Sequence, residues 1–198
     1  MNLDEKLYIT QVIPRTIQGE GNRMGYPSTL IRLSKCNLKC SFCDTKESWK
    51  QGDEYITEET IYTFLNKIEN YKMQNIILTG GEPFLYANNE LFWSILEKFN
   101  GMIEVETNGT LITNRQMIDR LNKNNVQINL SPKLDIECYK NRIDYKTLIS
   151  KYQMNVRYLK KYTLKFISTK NNIDDILEFQ YDITMLMRLQ RRINVNNQ

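Results

Sequence analysis

The chain has 198 residues, of which 41% are hydrophobic and 25% charged. That is enough for one domain with its own core, too few for two comfortable ones, and incompatible with a disordered chain. The net charge of +4, from 27 Lys and Arg against 23 Asp and Glu, suits an anionic small substrate and does not point to direct nucleic-acid binding. Histidine is absent, which removes the usual general acid–base and the commonest metal ligand. Catalysis therefore has to draw on carboxylates, Lys, Cys or a cofactor. No apolar run approaches the roughly 20 residues of a membrane span. The polar Met1 to Lys6 segment is not followed by a signal-peptide core. The expected location is the cytoplasm, with no membrane partner. The basic run Arg188 to Arg192 reads as a solvated face.

In chain order, Leu7 to Ile13 is expected to form a first strand and Thr29 to Leu33 a second, apolar enough for burial. Residues from Cys36 to about Asp53 read as irregular. Thr57 is the expected N-cap of a helix, with Glu58 and Glu59 in its first turn and Ile61, Leu65 and Ile68 at helical spacing. Asn75 to Leu78 is a short apolar strand running into Thr79-Gly80-Gly81-Glu82-Pro83. A helix follows from about Asn89 to Phe99. Met102 to Glu106 is a strand, Asn114 to Lys123 a helix, and Val126 to Leu130 a strand ending in Ser131-Pro132-Lys133. Tyr162 to Ile167 is the last strand and Ile173 to Phe179 a short helix.

Strands alternating with helices imply a parallel sheet covered by helices. About six strands are fewer than the eight of a closed (β/α) barrel. The expected fold is α/β, a partial, open β/α barrel of about six mostly parallel strands. The whole chain, 1–198, reads as a single domain, with a cysteine loop over about 36–53. In such folds ligands bind at the carboxyl ends of the strands. The cysteine loop, Gly80-Gly81-Glu82, Asn108-Gly109 and Ser131-Pro132-Lys133 all follow strands and so should share one rim.

Cys36, Cys40 and Cys43 place three thiols on one short loop in C-x3-C-x2-C spacing. Three clustered Cys in a reducing compartment read as metal ligands rather than disulfides. Four thiolates saturate an iron–sulfur cubane, whereas three leave one iron open. A structural zinc site asks for a fourth Cys or a His. Only the distant Cys138 is available for that, so zinc stands as a second reading. Burial as ordinary core cysteines fits poorly, because Asn37, Lys39 and Ser41 between them are polar.

The spacing C-x3-C-x2-C resembles the signature of the radical S-adenosylmethionine (SAM) superfamily, and Gly80-Gly81-Glu82-Pro83 looks like its "GGEP" segment. The resemblance implies a [4Fe–4S] cluster held by Cys36, Cys40 and Cys43, with SAM on the open iron. It also implies an electron donor such as flavodoxin or ferredoxin. Glycines let a backbone approach a ligand closely, and backbone carbonyls with Glu82 can accept from an ammonium group. Phe42 matches an aromatic near the adenine, with ordinary packing the alternative.

The flanks narrow the family. Ile17-Gln18-Gly19-Glu20-Gly21, Gly25-Tyr26-Pro27, Ile31-Arg32-Leu33, Cys43-Asp44-Thr45, Glu106-Thr107-Asn108-Gly109-Thr110, Ser131-Pro132-Lys133 and Leu164-Lys165-Phe166-Ile167 resemble, in order, the 7-carboxy-7-deazaguanine synthase family. That resemblance implies conversion of 6-carboxy-5,6,7,8-tetrahydropterin into 7-carboxy-7-deazaguanine with loss of ammonia, on the way to queuosine-type 7-deazapurines. SAM is regenerated and Mg²⁺ assists. By position, Thr45 resembles the magnesium ligand, a loop-capping hydroxyl being the alternative. Ile17, Gln18, Gly19, Glu20, Arg32 and Thr79 resemble substrate contacts. The forked donors of Arg32 suit the substrate carboxylate. Gly80, Gly81, Glu82, Glu106, Asn108, Ser131, Pro132 and Lys133 resemble SAM contacts, although Lys133 also reads as a surface lysine.

The departure lies at the C-terminus, from about 180 to 198. Full-length relatives usually carry further SAM and substrate contacts there. Here Tyr181 to Met187 leads into a polar tail. It reads as a divergent minimal version, a site completed by the partner of an expected homodimer, or a truncation. Cys138 matches no ligand of the family. The competing enzyme reading is a glycyl-radical-enzyme activase, which shares the cysteine spacing but has no need of Gln18 to Gly21, Arg32 or Asp44-Thr45.

Overall fold

The computed structural model describes residues 5–135, 138, 144–168 and 172–195, with side chains in the last helix described as far as Met185. The Arg188 to Arg192 side chains lie outside that range. Seven strands form one sheet in the order β3-β1-β2-β4-β5-β6-β7. The strands are β1 (Leu7–Ile17), β2 (Pro27–Leu33), β3 (Glu54–Ile56), β4 (Asn75–Gly80), β5 (Met102–Thr107), β6 (Val126–Leu130) and β7 (Tyr162–Leu164). From β2 to β7 every neighbour is parallel. β1 runs antiparallel to both β2 and β3. The edges β3 and β7 do not pair, so the barrel is partial and open, as expected. The added seventh strand is the three-residue β3, too short to show a period.

Side-chain alternation builds two different faces on this sheet. Ile31 and Leu33 on β2, Ile76 and Leu78 on β4, Ile103 and Val105 on β5, and Val126, Ile128 and Leu130 on β6 all join the main core. Helices α1 (Ile61–Asn70), α2 (Glu90–Lys98) and α3 (Arg115–Lys123) cover that face, α1 through Ile61, Leu65 and Ile68 and α2 through Phe92, Trp93 and Ile95. The intervening residues are mostly polar. Register places Arg32 beside Thr79, and Glu106 beside Asn129. Beneath them the amide of Asn75 donates to Ser28 (2.8 Å) and to Glu104 (3.0 Å). The sheet is largely covered on both faces, one by helices and the other by its own polar network.

Helix starts follow local capping. Asn89 accepts from the Leu91 N–H (2.7 Å) and Asn114 from the Met117 N–H (2.8 Å). Thr57 does not cap α1. It closes a turn in which its carbonyl accepts from the Thr60 and Ile61 N–H groups, and the helix begins at Ile61. Helix α4 (Tyr145–Tyr158), capped by Asp144 on the Thr147 N–H (2.7 Å), was not expected from the sequence. Helix α5 (Ile173–Val195) runs well beyond the expected Phe179. The two helices share a second core of Leu148, Ile149, Tyr152, Val156, Phe179 and Ile183. The rings of Tyr152 and Phe179 meet edge to face at 5.4 Å. Among the described residues no helix is long and apolar enough to cross a membrane.

Helix α4 also braces the rim. The Tyr152 hydroxyl donates to the Asn108 carbonyl (2.6 Å) and the Asn155 amide to the Gly109 carbonyl (2.9 Å). Tyr152→Phe leaves one buried carbonyl short of a donor. The expected cost is about 1–2 kcal/mol, read as a lower urea midpoint with an unchanged slope.

Candidate functional site

The carboxyl ends of the parallel strands surround one cavity of about 770 Å³. It brings together Cys36, Cys40, Phe42, Cys43 and Thr45 from the loop after β2, and Thr79, Gly80 and Gly81 from β4 and its turn. Glu106 and Asn108 come from the β5 end, and Ser131 and Lys133 from the β6 end. Ile17, Gln18, Gly19 and Glu20 follow from β1, and Arg32 from β2. These segments are distant in sequence and converge because parallel strands deliver their loops to the same edge.

The cysteine loop leaves β2 through Lys35, whose φ of 70° lies in the left-handed region. The loop is pinned on both sides. The Glu82 N–H donates to the Lys35 carbonyl (2.8 Å). The Asn108 amide donates to Asn37 (2.9 Å), which in turn donates to the Thr110 hydroxyl (2.9 Å). Asn108 thus lines the cavity while its side chain ties the cysteine loop to the β5 end. Gly81 is required here by close approach, since a Cβ on it would lie 2.0 Å from the Lys35 carbonyl oxygen.

Two expected ligand contacts stand elsewhere. Glu82 is fully buried and does not line the cavity. Its carboxylate accepts from the Thr107 hydroxyl (2.6 Å) and from the N–H groups of Asn108 (2.8 Å) and Phe84 (3.1 Å). Burial pushes its carboxyl above the ordinary range, although those donors oppose the shift. Its place is that of an internal brace between the Gly-Gly turn and β5. Pro132 is also buried, and only its neighbours Ser131 and Lys133 reach the cavity. Lys133 donates to Ser131 (2.7 Å), and burial lowers its pKa.

The thiols differ in surroundings. Burial, more than anything else, pushes Cys36 up to about 11, against a hydrogen bond from the Leu38 N–H (3.4 Å). Cys40 is lowered, chiefly by a hydrogen bond from Cys138. Cys138 packs under the loop with Leu38 and Cys40, and its carbonyl accepts from the Lys39 N–H (3.0 Å). All four cysteines are unbridged. Among the described residues no three His, Cys, Asp or Glu side chains are gathered in a metal-holding arrangement. Cys36 turns back to Leu38 and Cys40 turns to Cys138, so the three loop thiols line one cavity without meeting at one point. The Thr45 hydroxyl donates to Asp44 (2.8 Å) at the same edge.

Gln18 is buried by a loop closed through the Gln18 N–H to the Tyr26 carbonyl (2.9 Å) and the Gly25 N–H to the Gln18 carbonyl (2.8 Å). Its side chain reaches Glu106 (3.4 Å) and accepts from the Glu20 N–H (3.3 Å). Glu106 also accepts from Asn129 (2.7 Å) and from Lys165 (3.0 Å), and Lys165 makes a second ion pair with Glu20. Glu106 therefore sits among the Gln18 and Glu20 segment. Arg32 has only a long contact to Gln11 (3.4 Å) and, among the described residues, no carboxylate partner. Lys165 is the site residue that sequence reasoning missed. Its one signal was its place in the Leu164-Lys165-Phe166-Ile167 segment; the strand expected to run to Ile167 ends at Leu164, which puts Lys165 on the rim.

The radical SAM superfamily model matches residues 30–181. A 7-carboxy-7-deazaguanine synthase from Buchnera aphidicola is 32% identical over 190 residues, spanning 84% of this chain and 82% of the relative. One from Rickettsia prowazekii is 40% identical over 110 residues, spanning 51% of this chain and 44% of the relative. Among solved structures, QueE from Escherichia coli superposes with a TM-score of 0.61 at 21% identity, over 89% of this chain and 77% of that one. Streptococcus suis SuiB bound to S-adenosylmethionine gives a TM-score of 0.51 at 20% identity, over 80% of this chain and 36% of that one. These two share the fold. With the family model covering most of the chain and the Buchnera relative matched along most of its length, the chain belongs to the radical SAM superfamily and, within it, to the 7-carboxy-7-deazaguanine synthase family.

Proposed function

We propose that the chain, as a single domain over 1–198, converts 6-carboxy-5,6,7,8-tetrahydropterin into 7-carboxy-7-deazaguanine. The change releases ammonia and is redox-neutral overall, with SAM regenerated. The observation that carries this reading is a single cavity that brings together three loop thiols, the carboxylates of Glu20 and Glu106, and Arg32, which has no carboxylate partner among the described residues.

Enzymes of this superfamily generally use SAM and a [4Fe–4S] cluster. The donor set here suits such a cluster: Cys36, Cys40 and Cys43 are all unbridged and line the cavity, with no imidazole to compete. They would hold three irons once turned away from Leu38 and Cys138. When bound, the cluster supplies the electron that opens SAM to radical chemistry. Phe42, Gly80, Gly81, Asn108, Ser131 and Lys133 are the residues for SAM. The Gly-Gly backbone offers carbonyls at close range, and Lys133 offers a cation for a carboxylate.

The protein's own contribution is placement. Arg32 grips the substrate carboxylate through its two terminal nitrogens. Gln18 and Glu20, with the backbone of Ile17 and Gly19, meet the donor-rich pterin edge, and Thr79 adds a hydroxyl beside Arg32. Thr45 provides an oxygen for Mg²⁺, which keeps waters and takes further oxygens from substrate. A flavodoxin or ferredoxin serves as electron donor, and the protein acts in the cytoplasm as a homodimer.

The test is anaerobic incubation of the reconstituted protein with reductant, SAM, Mg²⁺ and the carboxytetrahydropterin, with products identified by mass. Deazaguanine formation is expected. Abortive SAM cleavage alone, as an activase without its protein partner would give, counts against it. Arg32→Ala is expected to raise KM for the pterin about tenfold to hundredfold, the worth of a charge-assisted hydrogen bond. Iron content and SAM affinity should stay at wild-type values; loss of iron would make Arg32 structural.

A further inference from the structure

We infer that Lys165 is a positioning residue that keeps the two carboxylates of Glu20 and Glu106 ionised side by side, so that both can accept from the pterin. The inference rests on the proposed reaction and goes beyond it, because Lys165 belongs to none of the expected contacts.

The geometry is specific. Lys165 follows β7 directly, and its N–H donates to the Leu130 carbonyl (2.8 Å), extending the β6–β7 pairing by one residue. That fixes where its side chain leaves the backbone. Its ammonium meets Glu20, which follows β1, and Glu106 on β5 (3.0 Å). These residues come from three separate parts of the sheet, and all three line the cavity. Glu106 is nearly buried, with a side chain 9% exposed, while Glu20 at 43% faces the opening. Glu106 keeps amide donors from Gln18 and Asn129, but only Lys165 offers either carboxylate an opposite charge among the described ion pairs.

The electrostatics agree. Burial pushes Glu106 up, and Glu20 adds to that, against the charge of Lys165. Burial also acts to raise Glu20, but the hydrogen bond and the charge of Lys165 act to hold it down, and it lies below its ordinary range. Lys165 itself is held high by the two carboxylates in spite of its own burial. The other charged groups facing this trio are few. Asp44, from the cysteine loop, disfavours charge on Glu20, and Lys133 lies on the β6 side. Glu104 lies one layer below, joined through Asn129 (3.3 Å). Without Lys165 two carboxylates would share a poorly solvated corner, and one would keep a proton to a higher pH. A protonated carboxyl offers one fewer acceptor to the pterin's N–H groups.

The test measures pterin affinity by equilibrium dialysis across pH, on the reconstituted, SAM-loaded protein without reductant so that nothing turns over. Lys165→Met is expected to weaken binding about tenfold at neutral pH. Its acid limb should move up by about one pH unit, the scale of losing an opposite charge at this range. Lys165→Arg should restore the limb. SAM affinity and iron content should not change. An unshifted limb in Lys165→Met overturns the inference even if binding falls, because a purely structural role would weaken binding at every pH. A parallel loss of SAM affinity overturns it too. A wild type that binds the pterin but never converts it sinks the reaction and leaves Lys165 in place. A wild type that does not bind it sinks both.

Discussion

Cys36→Ala is expected to abolish stoichiometric iron and sulfide and, with them, all SAM cleavage and product, while the far-ultraviolet circular dichroism stays near wild type. The same holds for Cys40→Ala and Cys43→Ala. The basis is that a cluster with one open iron has no spare protein ligand, so losing any thiolate leaves too few. The fold should survive because the loop is tied down by Asn37, Asn108 and the Lys35–Glu82 contact rather than by the thiols. Cys138→Ala is the internal contrast. Cys138 contacts Cys40 but does not line the cavity, so its loss should leave iron and sulfide in place. Iron lost equally from Cys138→Ala would indicate a cluster held by four thiolates and contradict an open iron.

The second large effect is expected at Gly81. A Cβ there would stand 2.0 Å from the Lys35 carbonyl oxygen and 2.4 Å from its carbon. Both are backbone atoms of a peptide held by the Glu82 N–H donating to the Lys35 carbonyl (2.8 Å) and by the Lys35 N–H donating to the Ser48 carbonyl (2.6 Å). Nothing flexible is available to yield, so β2 and the Gly-Gly turn must part. Gly81→Ala should cost about 3 kcal/mol. It should also loosen the cysteine loop, because Glu82 would no longer brace Thr107 and Asn108 in line with Asn37. Urea denaturation and iron retention measure the two consequences. Gly19→Ala serves as the control, since no atom lies within 4 Å of a Cβ at that position.

Much of this arrangement is legible in the sequence, for identifiable reasons. Parallel strands buried on both faces show up as short apolar runs, as in Asn75 to Leu78, and their loops carry the motifs. The cysteine spacing is local, so it needs no fold to be read. Helix α4 was hidden because its buried face is not uniformly apolar: Asn155 is wholly buried there, holding the Gly109 carbonyl. Glu82 illustrates the opposite failure. Its motif suggests a ligand contact, yet the strand order puts Thr107 and Asn108 within reach first. Lys165 was visible as part of Leu164-Lys165-Phe166-Ile167, but nothing local distinguishes it from a surface lysine. Only the order β5-β6-β7, with β1 folded back beside β2, sets it between Glu20 and Glu106.

One cavity is expected to use SAM catalytically to contract a pterin ring. The direct measurement follows deazaguanine, ammonia and SAM together under anaerobic turnover. Equal amounts of deazaguanine and ammonia are expected, with many products formed for each SAM consumed. SAM cleaved in step with time while neither deazaguanine nor ammonia accumulates would contradict it.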